Sequence, residues 1–134
     1  LNVLVDTSVW SLALRRTPPS SAPEVALLER CLEREDVIVT TGLVLQELLQ
    51  GFEGPSQARR ILERFSILPL LVPELEDHVQ AAALRNRCRR RGLQVGTIDA
   101  LLAQLAIRHR LELLTADRDF ERMSHLCPLS LVRS

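Results

Sequence analysis

The sequence predicts an α/β fold, a mostly parallel central sheet with helices on both faces, and three features of its pattern point there. Short apolar runs of strand type alternate with longer stretches of helical spacing along the chain. The first run, Asn2–Val5, stops at Asp6-Thr7-Ser8, residues that commonly cap a helix, so strand passes directly into helix. A later run at 111–115 also ends beside an acid, Asp117. In a parallel sheet the carboxyl ends of the strands open on one edge, and sites form in the crevice outside it.

The remaining elements follow in order. Residues 15–22, with Pro18 and Pro19, read as a loop, and Ser21 and Pro23 announce a helix over 23–34, the proline being tolerated in its first turn. A second strand is expected at 37–40. Beyond Gly42, the residues Leu43, Val44, Leu48 and Gly51 recur at helical spacing, and Gly51, Gly54 and Pro55 end that segment. A further helix is expected at 56–65. The run at 67–72 is apolar but holds Pro69, which has no N–H for a ladder, so it reads as loop or edge strand. Pro73 opens a long helix to about 91, closed by Gly92, and Thr97 caps the next through about 110. A strand at 111–115, a short helix at 120–123 and a strand candidate at 129–132 complete the pattern. There are no repeats, low-complexity tracts or linkers, so 1–134 reads as a single domain, long enough to bury a core without disulfides.

Hydrophobic residues make up 46% and charged residues 25%, which leaves no long stretch too polar to fold. Seventeen acidic and seventeen basic residues cancel, so attraction to nucleic acid must come from a local patch. Every basic side chain is arginine, and the absence of lysine removes any mechanism that needs one. Cys31, Cys88 and Cys127 are scattered, odd in number and form no C-x-x-C, so they read as reduced thiols. No apolar run approaches the roughly 20 residues of a membrane span. The opening run is too short for a signal peptide, and a cytoplasmic protein without membrane contact is expected. Because the chain opens at Leu1 rather than methionine, a few further residues are expected ahead of it.

Most acids have arginines close by: Glu29 and Glu33 lie beside Arg30 and Arg34, Glu63 follows Arg59, and Glu121 adjoins Arg122. Such pairs mark solvated helix faces and contribute a few tenths of a kcal/mol. Glu47 differs. Its neighbours at helical spacing are Leu43, Val44, Leu48 and Gly51, which put it on or beside the apolar stripe. An unpaired carboxylate there costs several kcal/mol, so a cation is expected to meet it. Asp99 lies between Ile98 and Ala100-Leu101-Leu102, although the first turn of a helix also favours an acid. Asp6 and Asp117 each fit equally well as plain turn or N-cap residues.

The combination says more than the parts, because an α/β crossover brings two strand-end acids and two helix acids to one sheet edge. Four carboxylates with no lysine, histidine or cysteine pair among them form a hard, all-oxygen set suited to Mg²⁺ or Mn²⁺ and not to zinc. Phosphodiester hydrolysis follows as the chemistry, with ions activating water and offsetting charge on the leaving oxygen. His78, His109 and His125 stand in no H-E-x-x-H or related ligand spacing.

On these residues the chain resembles the PIN-domain family and, within it, the VapC-type toxins of bacterial toxin–antitoxin pairs. Val5-Asp6-Thr7-Ser8-Val9-Trp10 resembles the family's first motif, whose aspartate is a metal ligand supported by a neighbouring hydroxyl, here Thr7 or Ser8. Gln46-Glu47-Leu48-Leu49-Gln50-Gly51 matches the second acid and Ile98-Asp99-Ala100-Leu101-Leu102-Ala103 the third. Thr115-Ala116-Asp117-Arg118-Asp119-Phe120 resembles the fourth, with Asp117 as the ligand, Asp119 as a helper or helix cap, and Thr115 as a further support. The resemblance implies a PIN-like fold and an endoribonuclease using one or two Mg²⁺ or Mn²⁺ ions. It also implies a homodimer, an RNA substrate, and inhibition by a small cognate VapB-type antitoxin, with translation slowed when the toxin is freed.

Arg85, Arg87, Arg89, Arg90 and Arg91 form the one dense basic run, at the end of the long helix. They complement the helix dipole on one reading and contact RNA phosphates on the other. Trp10 reads as a core or dimer-contact residue rather than a base-stacking platform. Receiver-type and haloacid-dehalogenase-like phosphotransfer domains also end their first strand in aspartate, but each normally uses a lysine, and the phosphatase pattern wants an aspartate where Ser8 stands. The standing alternatives are a PIN-like RNA-processing nuclease outside any toxin system and a catalytically inactive PIN-like binding module.

Overall fold

The computed structural model describes residues 2–15 and 20–133. Pro18 and Pro19, expected in a loop, lie outside the described residues. Five parallel strands form one sheet in the order β3-β2-β1-β4-β5. They are β1 (Asn2–Val5), β2 (Val37–Thr41), β3 (Leu70–Leu71), β4 (Glu112–Leu114) and β5 (Ser130–Leu131). Helices intervene at α1 (Thr7–Ala13), α2 (Pro23–Glu33), α3 (Gly42–Gly51), α4 (Pro55–Phe65), α5 (Leu75–Arg90), α6 (Thr97–Arg108) and α7 (Arg118–Met123). Side chains alternate across a strand, so the complete burial of Val3, Leu4 and Val5 on central β1 means that both faces of the sheet are covered.

The expected elements are present, with shifted ends. Asn2–Val5 passes into α1 through Asp6, and Gly92 closes the α5 region at φ +81°, the left-handed conformation glycine adopts without a Cβ clash. Thr97 does not cap α6 as expected: it is the first helical residue, and Gly96 holds the extended cap position without a side-chain bond. Nor does Pro73 open α5, which starts at Leu75 behind a reciprocal capping box between Glu74 and Asp77. The proline-bearing run is an edge strand, in which the Pro69 carbonyl accepts from Thr40 N–H at 3.0 Å. Its missing N–H therefore costs no ladder bond.

α5 and α6 form an antiparallel hairpin fixed at both ends. Arg108 near the end of α6 reaches Asp77 near the start of α5 through Nε and Nη2 at 2.6 and 2.8 Å. At the other end Arg85 donates to the Val95 carbonyl at 2.7 Å. α6 is apolar nearly all round, with Ala100, Leu101, Leu102, Ala103, Leu105 and Ala106 buried. A helix this enclosed has little freedom to shift, which fixes the position of Asp99 in its first turn. Trp10 is a core residue, packed against Phe65 with ring centroids 5.1 Å apart. Cys31, Cys88 and Cys127 are free thiols.

Candidate active site

Asp6 closes β1 at the carboxyl edge of the sheet, with its backbone N–H on the Leu114 carbonyl of β4 at 2.9 Å. It is 5% exposed, and such burial is tolerable only because donors surround the carboxylate. Oδ1 accepts the Thr7 N–H at 2.8 Å, so the N-cap role anticipated from sequence is real. Oδ2 accepts two hydroxyls, Ser8 at 2.8 Å and Thr115 at 2.9 Å. Each hydroxyl in turn accepts a backbone N–H from the loop after β4: Ala116 to Ser8 and Asp117 to Thr115, both at 3.0 Å. Each hydroxyl has one proton and gives it to Asp6, so the 3.4 Å approach of Ser8 and Thr115 is contact rather than a further bond. A carboxylate offers about four lone pairs. Asp6 therefore keeps one on Oδ1 uncommitted.

Thr41 caps α3 by accepting from Val44 N–H at 3.2 Å, which starts that helix directly at the end of β2 and carries Glu47 to the same edge. Glu47 Oε1 accepts the Thr7 hydroxyl at 2.9 Å, so Thr7 uses its amide on Asp6 and its hydroxyl on Glu47. The cation expected against Glu47 is not a side chain of the described residues, in which its ion pairs are absent. Asp117 caps α7 by accepting Asp119 N–H at 2.9 Å. The Asp119 carboxylate turns instead to Arg122 at 2.8 Å. Asp119 is thus committed to a surface pair, while Asp117 is tied to Asp6 through its backbone N–H, which donates to the Thr115 hydroxyl that holds Asp6.

Asp99 draws the four acids into one electrostatic unit. Its carboxyl is pushed up from 3.8 to about 7, first by burial and then by the charges of Asp6, Asp117, Glu47 and Asp119. As they stand, the acids are not drawn in to coordination geometry: among the described residues no three of them are disposed to hold a metal ion. The donor set itself, carboxylates with supporting hydroxyls and no thiolate or imidazole, fits a hard divalent cation.

The PIN domain family profile matches residues 3–126 of this sequence. The chain belongs to the PIN-domain family. Ribonuclease VapC11 of Mycobacterium tuberculosis is 32% identical over 130 residues, covering 95% of each chain. Ribonuclease VapC23 of the same species is 28% identical over 120 residues, covering 75% of this chain and 95% of its own. Among solved structures, VapBC2 from Rickettsia felis, bound to a DNA fragment from its promoter, superposes with a TM-score of 0.76 at 23% identity and 98% coverage of both chains. VapC20 of Mycobacterium tuberculosis, described as a toxin cleaving the sarcin-ricin loop, gives 0.69 at 18% identity, covering 90% of this chain and 93% of its own.

The arginine run of this PIN domain divides into two kinds. Arg85 is half-buried and holds Val95, whereas Arg87, Arg89, Arg90 and Arg91 are exposed and Arg89 Nη2 reaches only Asn86. No helix among the described residues is long and apolar enough to cross a membrane. Sequence reasoning singled out neither Glu24 nor Arg118, which wall a cavity beside Asp117. Arg118 was visible inside the fourth acidic motif. Glu24 carried no signal beyond that of any first-turn acid.

Proposed function

We propose that this PIN domain is a metal-dependent endoribonuclease, the toxin of a toxin–antitoxin pair, with Asp6, Glu47, Asp99 and Asp117 as the ligands of one or two Mg²⁺ or Mn²⁺ ions. The observation that carries the reading is the state of Asp99: a carboxyl pushed up to about 7 first by burial and then by the charges of Asp6, Asp117, Glu47 and Asp119 at a sheet edge, with no basic side chain among the described residues paired to Asp6, Glu47, Asp99 or Asp117. Such a cluster is an electrostatic debt unless a cation binds it. When bound, divalent ions activate water, align it with the phosphodiester and offset charge on the leaving oxygen. The chain's own contribution is placement. Ser8 and Thr115 fix Asp6 from one side, and Thr7 ties Asp6 to Glu47 from the other.

The names of the relatives support an RNA substrate and a VapB-type antitoxin partner. A homodimer is part of the same reading. The edge strand and the start of α5 leave Ile67, Leu70, Val72, Leu75 and Val79 exposed, an apolar run suited to a protein partner. Incubation of the purified protein with total RNA, in chelator and in Mg²⁺ or Mn²⁺, followed by mapping of new ends, tests the activity. Discrete cuts only with metal are expected. Intact RNA in both metals would leave a binding module.

A further inference from the structure

The crevice outside the sheet edge does not end at the acids. Past Thr115 and Asp117 it continues over the carboxyl ends of β4 and β5 as a cavity of about 180 Å³. Leu131 and Val132 supply apolar lining, while Glu24 reaches it from α2 and Arg118 from α7. The volume lies below the roughly 300–1,000 Å³ of whole small-molecule sites, so it suits one flat group and not a complete nucleotide. Glu121 and Arg133 also line it, but they satisfy each other at 3.1 Å. Glu24 and Arg118 have no hydrogen-bond or ion-pair partner among the described residues.

We propose that this cavity is a base-recognition subsite that takes a guanine adjoining the scissile phosphate. The proposal rests on the ribonuclease reading and specifies the substrate class of that same site. Asp117 belongs to both the acid cluster and the cavity wall, so a base seated here lies within one nucleotide of the reacting bond. A free carboxylate and a free guanidinium approaching from different elements match one base best. Guanine offers N1–H and N2–H side by side, a pair of donors that one carboxylate accepts together, and it offers O6 and N7 as acceptors for an arginine. Adenine has a lone pair at N1 where guanine has a donor, so it would set lone pair against carboxylate. The cavity has no aromatic lining, so the base faces would rest on Leu131 and Val132 rather than on a ring.

Two measurements on the intact chain test the proposal, one independent of cleavage. In chelator, NMR titrations with guanosine and adenosine are expected to show guanosine binding about tenfold tighter or more, a preference that Glu24→Gln abolishes. In metal, end mapping of cleaved RNA is expected to show guanine enriched at one position flanking the cut. Glu24→Gln loses that enrichment, whereas Glu29→Gln, an exposed acid farther along α2, retains it. Thermal melting at the wild-type temperature establishes that Glu24→Gln is folded. If wild type cuts no RNA, the ribonuclease reading fails while the nucleoside titration still decides the cavity. Equal binding of guanosine and adenosine, or unchanged base preference in Glu24→Gln, overturns the subsite.

Discussion

The Thr115 hydroxyl donates to Asp6 Oδ2 at 2.9 Å across a sequence separation of 109 residues, locking the end of β1 to the end of β4. Ser8 donates to the same oxygen at 2.8 Å, so Asp6 is oriented by two hydroxyls from opposite ends of the chain. Removing either leaves the carboxylate held by the Thr7 N–H and one hydroxyl, more weakly oriented and with part of its negative charge unsatisfied.

Thr115→Val keeps the shape of the side chain and deletes the donor. Loss of a partner that orients a metal-binding group typically costs about tenfold to a hundredfold in activity or metal affinity. The same change is expected to cost about 1–2 kcal/mol of stability. Cleavage rates across a Mn²⁺ titration, with urea melts of the same protein, check both figures. Ser8→Ala is expected to behave alike.

The acid cluster sets an opposite order of stability with and without metal. In chelator, Asp6→Asn relieves repulsion on Asp99 and is expected to melt no lower than wild type. In saturating Mn²⁺ the order reverses, because an ion bound only to the folded state adds about 2.7 kcal/mol at a hundredfold excess over its dissociation constant. Melting curves of both proteins in chelator and Mn²⁺ make the comparison. Asp6→Asn melting below wild type in chelator would show that the lost hydrogen bonds outweigh the relieved repulsion.

Asp77 gives a pH dependence of known sign. Burial pushes its carboxyl upward, but the Arg108 guanidinium, the Glu74 N–H and Gln104 outweigh that and leave it below its ordinary value of 3.8. A depressed folded value means that the stabilisation is present above the unfolded value and is lost as pH falls through the folded one. Asp77→Ala is expected to cost about 2 kcal/mol at neutral pH, less than for a wholly buried pair because Arg108 stays 32% exposed and is rehydrated. Urea melts from neutral pH down to below 3.8 should show the gap between wild type and variant narrowing at the acid end. Cleavage per folded molecule stays unchanged, since the pair lies outside the acid cluster.

The strand ends were legible in the sequence because the chain changes period there: Asp6 and Asp117 each stand where an apolar run gives way to helix-capping residues. Asp99 was legible as an acid inside an otherwise apolar helix. Asp77 was not, because its burial depends on Arg108, a partner thirty-one residues away that only helix pairing brings near. Arg85 looked like its neighbours in the basic run, yet the turn before α6 delivers the Val95 carbonyl to it. The α6 cap falls at Gly96 rather than Thr97: Gly96 holds the extended cap backbone, ψ 155°, without a side-chain bond, so the hydroxyl that signals a cap in the sequence is not the group that forms it.

The divided arginine run predicts divided effects. Arg89→Ala with Arg90→Ala removes exposed charges, and if they meet RNA phosphates the slope of log affinity against log salt flattens by about one to two units. Arg85→Ala is expected instead to lower the melting temperature by freeing Val95. Binding isotherms of a single-stranded RNA at several salt concentrations separate the two. An unchanged slope in the double variant leaves that helix end a solvated face.

We propose that Asp6, Glu47, Asp99 and Asp117 act as one metal-dependent site for cutting RNA. Its most direct test is the cleavage rate of a defined RNA by wild type and Asp99→Asn in saturating Mn²⁺, with both proteins shown to be folded. Asp99 is the group on which the other three converge, and Asn keeps its shape while removing its charge. A loss of at least about a hundredfold is expected, of the order seen when a group supporting transition-state charge is removed. Cleavage by Asp99→Asn at the wild-type rate and at the same positions would contradict it.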